Sequence, residues 1–240
     1  WGSPRPLRAL NSAFQETAPA LSPDGSLLYF ASDRPGGRGG DDIWVKQLDA
    51  GPVTRLTFDG HAMRPVWSRN GQYLWYGSRD STGLNLYRRR ADGTGSPELV
   101  LDPTDGVEEV VETPDTAVLI VRVSGGGGSG VAGRRIFLFR PAAGNGDSAL
   151  SPLLVSPDYN QMAPALSPDG RWLAYVSNES GRNEVYVRPF PNVDGGRWQV
   201  SRDGGNEPVW AHSGRELYFR AAPPGGSRSV VAVPILPGAG

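Results

Sequence analysis

Few residues of this sequence have both the type and the spacing that chemistry requires. Histidine occurs only at positions 61 and 212, and cysteine is absent. Thiolate catalysis, disulfides and Cys-based metal sites are therefore excluded. A zinc site would need both histidines plus carboxylates. His212 falls in an expected turn, so both histidines are read as loop residues, and neither a metal nor any other cofactor is expected. The sequence has no His-Glu-x-x-His, Gly-x-Ser-x-Gly or phosphate-loop lysine motif. Gly128-Ser-Gly130-Val-Ala-Gly133 carries the letters of a dinucleotide fingerprint. That mechanism needs a helix to follow, with its N-terminus on the pyrophosphate, whereas Arg134–Arg140 alternates like a strand. Asn178-Glu179-Ser180 has the glycosylation pattern and reads as a hairpin loop.

What remains is a position that recurs. Ala18, Arg64, Glu109, Ala163 and Glu207 each stand one residue ahead of a repeated anchor, with Glu16, Glu108 and Asn206 nearby. The anchors are Pro19-Ala-Leu-Ser-Pro-Asp-Gly25, Pro65-Val-Trp-Ser-Arg-Asn-Gly71, Pro164-Ala-Leu-Ser-Pro-Asp-Gly170 and Pro208-Val-Trp-Ala-His-Ser-Gly214. A worn fifth copy is Val110-Val-Glu-Thr-Pro-Asp-Thr116. The repeat positions 25, 71, 116, 170 and 214 are 46, 45, 54 and 44 residues apart. Propeller blades of four strands recur every ~40–45 residues. The long interval holds the Gly-rich run 125–133 and the loop Ala142–Ser148, both read as insertions.

The anchor is a tight turn. In Ser22-Pro23-Asp24-Gly25, proline presets φ, Asp suits the third position, and glycine takes the left-handed one. Each turn joins an innermost strand to an apolar second strand: Leu27–Ala31, Tyr73–Gly77, Ala117–Arg122, Trp172–Val176 and Glu216–Arg220. Third strands are expected at Ile43–Leu48, Leu84–Arg89, Arg135–Arg140, Glu184–Pro189 and Val230–Pro234. Outer strands are expected at Leu7–Leu10, Val53–Leu56, Glu98–Leu101, Leu153–Val155 and Arg197–Val200. Leu21, Trp67, Leu166 and Trp210, two residues past the anchoring proline, read as wedges between blades. The fold expected is all-β: one propeller domain over residues 1–240, of about five four-stranded blades, with a fragment of a six-bladed propeller, or a complete one, as the alternative. Pairing of Leu7–Leu10 with Val230–Pro234 would complete the last blade and remove an exposed edge.

In such a fold the recurring position would surround a central channel. Glu16, Arg64, Glu109, Asn206 and Glu207 are then the candidate ligand-binding residues. Two readings stay open: solvated rim charge along a watery channel, or a mixed-charge site for a protein, peptide or small ligand. A glycoside hydrolase using Glu16, Glu109 or Glu207 is a third, and it needs two carboxyls roughly 5–9.5 Å apart.

The bulk properties narrow the partners. With 24 basic and 25 acidic side chains the net charge is -1, and no basic stripe suggests nucleic acid. No apolar stretch approaches the ~18 residues of a membrane span, and no signal peptide is expected in this chain. A monomer is expected.

Leu21-Ser-Pro-Asp-Gly-Ser-Leu-Leu-Tyr-Phe-Ala-Ser32 and the following Ser32–Trp44 resemble the WD-like repeats of TolB-type propellers. Tyr175-Val-Ser-Asn-Glu-Ser-Gly-Arg-Asn-Glu-Val-Tyr-Val-Arg-Pro-Phe190 is similar to propeller regions attached to bacterial transmembrane serine/threonine kinases and transcriptional regulators. The resemblance covers nearly the whole chain and is weakest over residues 103–150. It implies a bacterial, often periplasmic or otherwise extracytoplasmic, non-catalytic propeller that binds proteins or small ligands as a sensor. TolB-type propellers usually have six blades. The gating propeller of a prolyl-oligopeptidase-type peptidase is the other function this repeat pattern would fit.

Overall fold

The structure, a computed structural model, describes all residues except 1–9, 11, 37–38, 50, 82, 103–105, 116–117, 125–132, 142–147, 222–224 and 236–240. The chain divides into two compact units, Trp1–Pro103 and Thr104–Gly240. The fold is an all-β propeller of five antiparallel blades.

The first unit holds two blades. One is built from β1 (Glu16–Leu21), β2 (Leu27–Ser32), β3 (Asp42–Gln47) and β4 (Val53–Arg55), the other from β5 (Ala62–Trp67), β6 (Tyr73–Arg79), β7 (Leu84–Arg90) and β8 (Glu98–Leu101). The second unit holds three. They are β9 (Val107–Glu112), β10 (Leu119–Ser124), β11 (Arg134–Arg140) and β12 (Ala149–Leu154); then β13 (Gln161–Leu166), β14 (Trp172–Ser177), β15 (Glu184–Pro189) and β16 (Trp198–Gln199); then β17 (Gly205–Trp210), β18 (Glu216–Ala221) and β19 (Ser229–Pro234). The last sheet has three strands among the described residues. Of the strand expected at Leu7–Leu10, only Leu10 is described, and it lies in a turn.

Second strands read as unbroken apolar runs because both of their faces are covered. In β10 every residue but Ser124 is buried, and in β14 every residue but Trp172. One core cluster joins the first two blades through Tyr29, Ile43, Leu56, Leu74 and Tyr76. In the second unit, Ile120, Ile136, Leu173 and Tyr175 form another, and Val176, Val185, Leu217 and Phe219 a third. Burying each such side chain contributes roughly 1.5–3 kcal/mol.

The wedge reading holds for three of its four residues. The Trp67 indole donates to the Ala20 carbonyl of the preceding blade at 3.2 Å, and the Trp210 indole does the same to Ala165 at 3.0 Å. Leu166 packs on the core, whereas Leu21 is 54% exposed. Two outer strands differ from expectation. β12 starts at Ala149, four residues early: Pro152 reads as a strand breaker, but an edge strand needs no donor on its outer side. The strand expected at Arg197–Val200 shrinks to two residues after a 3-10 turn at Val193–Gly195.

Candidate functional site

The inner strands share an irregularity at the recurring position. Ala18, Arg64, Ala163 and Glu207 have φ of 49°, 52°, 49° and 54°. Each is the third residue of its inner strand, so the position lies within that strand and not ahead of it, as the sequence suggested. The ladder slips there in all four blades, between Thr17 and Ala20, Met63 and Val66, Met162 and Ala165, and Asn206 and Val209. A bulge turns the strand and re-aims its side chains. A left-handed backbone at a non-glycine residue costs about 1–2 kcal/mol. Glu109, followed by Val110 instead of proline, does not adopt positive φ, and its ladder shifts near Val107.

In the first unit, Glu16 opens β1 and pairs with Arg34 at 2.9 Å. Arg64 is exposed on β5. In the second unit, Glu109 meets Arg122 at 2.7 Å and accepts the backbone N–H of Ala163 at 2.8 Å. Ala163 holds the equivalent position one blade on, so the repeat does make neighbours of equal positions here. Arg122, 3% exposed, also pairs with Glu108 at 2.5 Å. Asn206 accepts from the Asn183 side-chain amide at 3.0 Å, and its neighbour Glu207 pairs with Arg220 at 2.6 Å.

Other polar groups support the blades. In the anchor turns, the Ser22 and Ser167 hydroxyls donate to Asp24 and Asp169 at 2.6 Å and accept the amides of Leu27 and Trp172 at 2.9 and 3.0 Å. Those hydroxyls hold both carboxyls down at about 2. The sequence carried this signal, since Ser22, Ser68, Thr113 and Ser167 share one repeat position. Two third strands, β3 and β15, open on buried polar residues: Asp42 bonds Thr57 at 2.8 Å, and Glu184 accepts the Gly204 amide at 3.0 Å. His61 forms a bridge with Asp41 rather than lying in a free loop, and His212 is in a turn. Burial, with Asp33 and Asp42 close by, pushes the Asp41 carboxyl up.

Among the described residues no group of His, Asp or Glu could hold a metal, and no helix is long and apolar enough to cross a membrane. The fingerprint-like run 128–133 lies outside the described residues except Gly133, and strand β11 follows it.

Neither a protein-family model nor a curated protein sequence matches the chain. Solved structures do. A TolB-like protein of Agrobacterium tumefaciens matches at 16% identity with a TM-score of 0.74, over 95% of this chain and 79% of that one. TolB from Acinetobacter baumannii matches at 19% identity and TM-score 0.62, over 84% of this chain and 47% of that one. A puromycin hydrolase matches at 18% identity and TM-score 0.67, over 93% of this chain and 37% of that one. This chain thus spans less than half the length of the last two. At these identities the likeness is one of fold: the chain is a five-bladed β-propeller similar in fold to TolB.

Proposed function

We propose that this chain is a non-catalytic binding or sensor propeller, taking a protein, peptide or small ligand through the starts of its inner strands. Glu16 and Arg64 would serve in the first unit, and Glu109, Asn206 and Glu207 in the second. The observation that carries this reading is the left-handed bulge repeated at one position in four blades. Strain of this kind persists where the surroundings impose it, and it clusters at ligand sites. The backbone geometry is constant while the side chain varies between Ala, Arg and Glu, as befits a fixed scaffold with a variable lining. Glu16, Glu109 and Glu207, the carboxylates a hydrolase would use, each pair with an arginine. The TolB likeness is consistent with a bacterial, extracytoplasmic setting, including attachment to a transmembrane kinase.

The puromycin hydrolase match favours a second reading, the gating propeller of a larger peptidase. The test has two parts. The full reading frame either carries a hydrolase domain or does not. A partner recovered with the wild-type chain is then titrated against an Arg64→Ala/Asn206→Ala/Glu207→Ala variant of unchanged melting temperature. Loss of affinity of tenfold or more is expected, and equal affinity overturns the assignment.

A further inference from the structure

A cavity of about 460 Å³ lies in the first unit where the β4–β5 loop meets the second blade, lined in part by Phe58, Asp59, Tyr76, Arg89 and Pro97. Its volume falls in the range of small-ligand sites. Arg89 is only 8% exposed, yet it has no carboxylate partner among the described residues. Its two terminal nitrogens donate to the carbonyls of Leu56 and Gly93. Its Nε is buried without any partner. Tyr76, 1% exposed, makes no hydrogen bond through its hydroxyl to any described residue, and burial together with Asp59 pushes its phenol up, keeping it a donor.

The molecule contains its own control. Arg188 and Tyr175 occupy the same repeat positions in the fourth blade, and there Arg188 Nε donates to the Tyr175 hydroxyl at 2.9 Å. The second blade leaves Arg89 Nε buried and unpartnered, at a cost for an unpaired donor, and its Tyr76 hydroxyl bonds no described residue beside the cavity. Two donors on one wall, one of them a guanidinium, match an oxyanion. Asp59 lines the same cavity and disfavours a multiply charged anion, while the 64% exposed Phe58 offers an apolar wall.

We propose that this cavity binds a free amino acid, its carboxylate on Arg89 and Tyr76, its ammonium toward Asp59 and its side chain against Phe58. The site is separate from the inner-strand residues.

The test titrates the 240-residue chain with the common free L-amino acids, one at a time, by thermal shift and heteronuclear NMR. At least one apolar amino acid should bind saturably, with shifts in the Tyr76 and Phe58 signals. Its analogue lacking the ammonium, its analogue lacking the carboxylate and inorganic phosphate should each bind at least tenfold more weakly. Tyr76→Phe, which keeps the ring, and Asp59→Asn should each weaken binding about fivefold or more, and Tyr175→Phe should leave it unchanged. Absence of saturation with every amino acid up to about 10 mM overturns the proposal. So does phosphate or the ammonium-free analogue binding equally well, or affinity unaltered by both Tyr76→Phe and Asp59→Asn.

Discussion

The Glu109 carboxylate accepts the backbone N–H of Ala163 at 2.8 Å, and these two residues occupy the same repeat position in consecutive blades. The same oxygen faces Arg122, which is 3% exposed. Glu109→Ala would leave a backbone donor unmet and a buried guanidinium with Glu108 as its one carboxylate, beside the Ser124 hydroxyl. The expected loss is about 2 kcal/mol, since unpaired buried donors cost roughly 1–3 kcal/mol. Glu109→Gln keeps an acceptor for the amide and should lose less. Urea unfolding at neutral pH separates the two, and equal stability of wild type and Glu109→Ala would show that the contact is dispensable.

The anchor turns make a graded prediction. Gly25, Gly71, Gly170 and Gly214 have φ between 68° and 73°, as the turn chemistry requires. Thr116 in the worn copy lies outside the described residues. A Cβ on Gly25 would meet nothing within 4 Å, whereas one on Gly170 would lie 2.5 Å from Pro114 Cγ. Gly25→Ala should therefore cost about 1 kcal/mol from backbone strain alone. Gly170→Ala should cost clearly more, because Pro114 must move. Denaturation midpoints of the two variants check the order.

What the sequence made legible follows from where the information lies. Ser-Pro-Asp-Gly specifies a turn within four residues, and the runs after it specify strands, so the blades could be counted from the letters. The bulges are different. A residue before proline is biased toward the extended region, yet Ala18, Arg64, Ala163 and Glu207 are left-handed. Ladder register decides that geometry, and partners far along the chain set the register. Repeat symmetry marks the position of the candidate residues in the sequence. Their partners Arg34, Arg122 and Arg220 come from elsewhere in their blades, beyond the reach of a local motif. The Arg89–Tyr76 and Arg188–Tyr175 pairs were equally hidden, since identical letters make a bond in one blade and none in the other.

The bulge strain is measurable. At Ala163, φ of 49° suits glycine, and relieving about 1–2 kcal/mol of left-handed strain outweighs glycine's loss of roughly 0.5–1 kcal/mol through chain entropy. Ala163→Gly is expected to be neutral or stabilising by up to about 1 kcal/mol. Ala165→Gly, two residues on where the ladder has resumed, should be destabilising by about 1 kcal/mol. Thermal melts should place Ala165→Gly below wild type and Ala163→Gly at or above it. Matching losses would mean the bulge carries no strain.

Acid stability should depend on the turn serines. Hydrogen bonds from Ser22 and Ser167 hold Asp24 and Asp169 at about 2 in the folded protein, against about 3.9 in an unfolded chain. A carboxylate lowered by folding stabilises at pH above its unfolded value, and that stability fades as pH falls through the folded one. The window is therefore about pH 4 down to 2. Ser167→Ala should raise the Asp169 midpoint toward the ordinary carboxylate range and move acid unfolding to higher pH, while Asp24 titrates as before. Carbon-detected NMR of the two carboxyls reads both, and an unmoved Asp169 would assign its low value to Arg171 instead.

The two Arg–Tyr pairs predict opposite responses to one small change. Tyr175→Phe removes the acceptor that Arg188 Nε uses at 2.9 Å, in a ring 2% exposed. In so buried a setting the guanidinium edge is left unmet, and the loss should be about 1–3 kcal/mol. Tyr76→Phe removes a hydroxyl that bonds no described residue and leaves the ring stacked on Tyr87 at 5.9 Å. In the absence of ligand it should change stability by less than about 0.5 kcal/mol, because no hydrogen bond to a described residue is lost with the hydroxyl. Chemical denaturation of both variants beside wild type measures the contrast. A loss for Tyr76→Phe as large as that for Tyr175→Phe would mean that Tyr76 and Arg89 close on each other in solution, with no unsatisfied pair at the cavity for a ligand to meet.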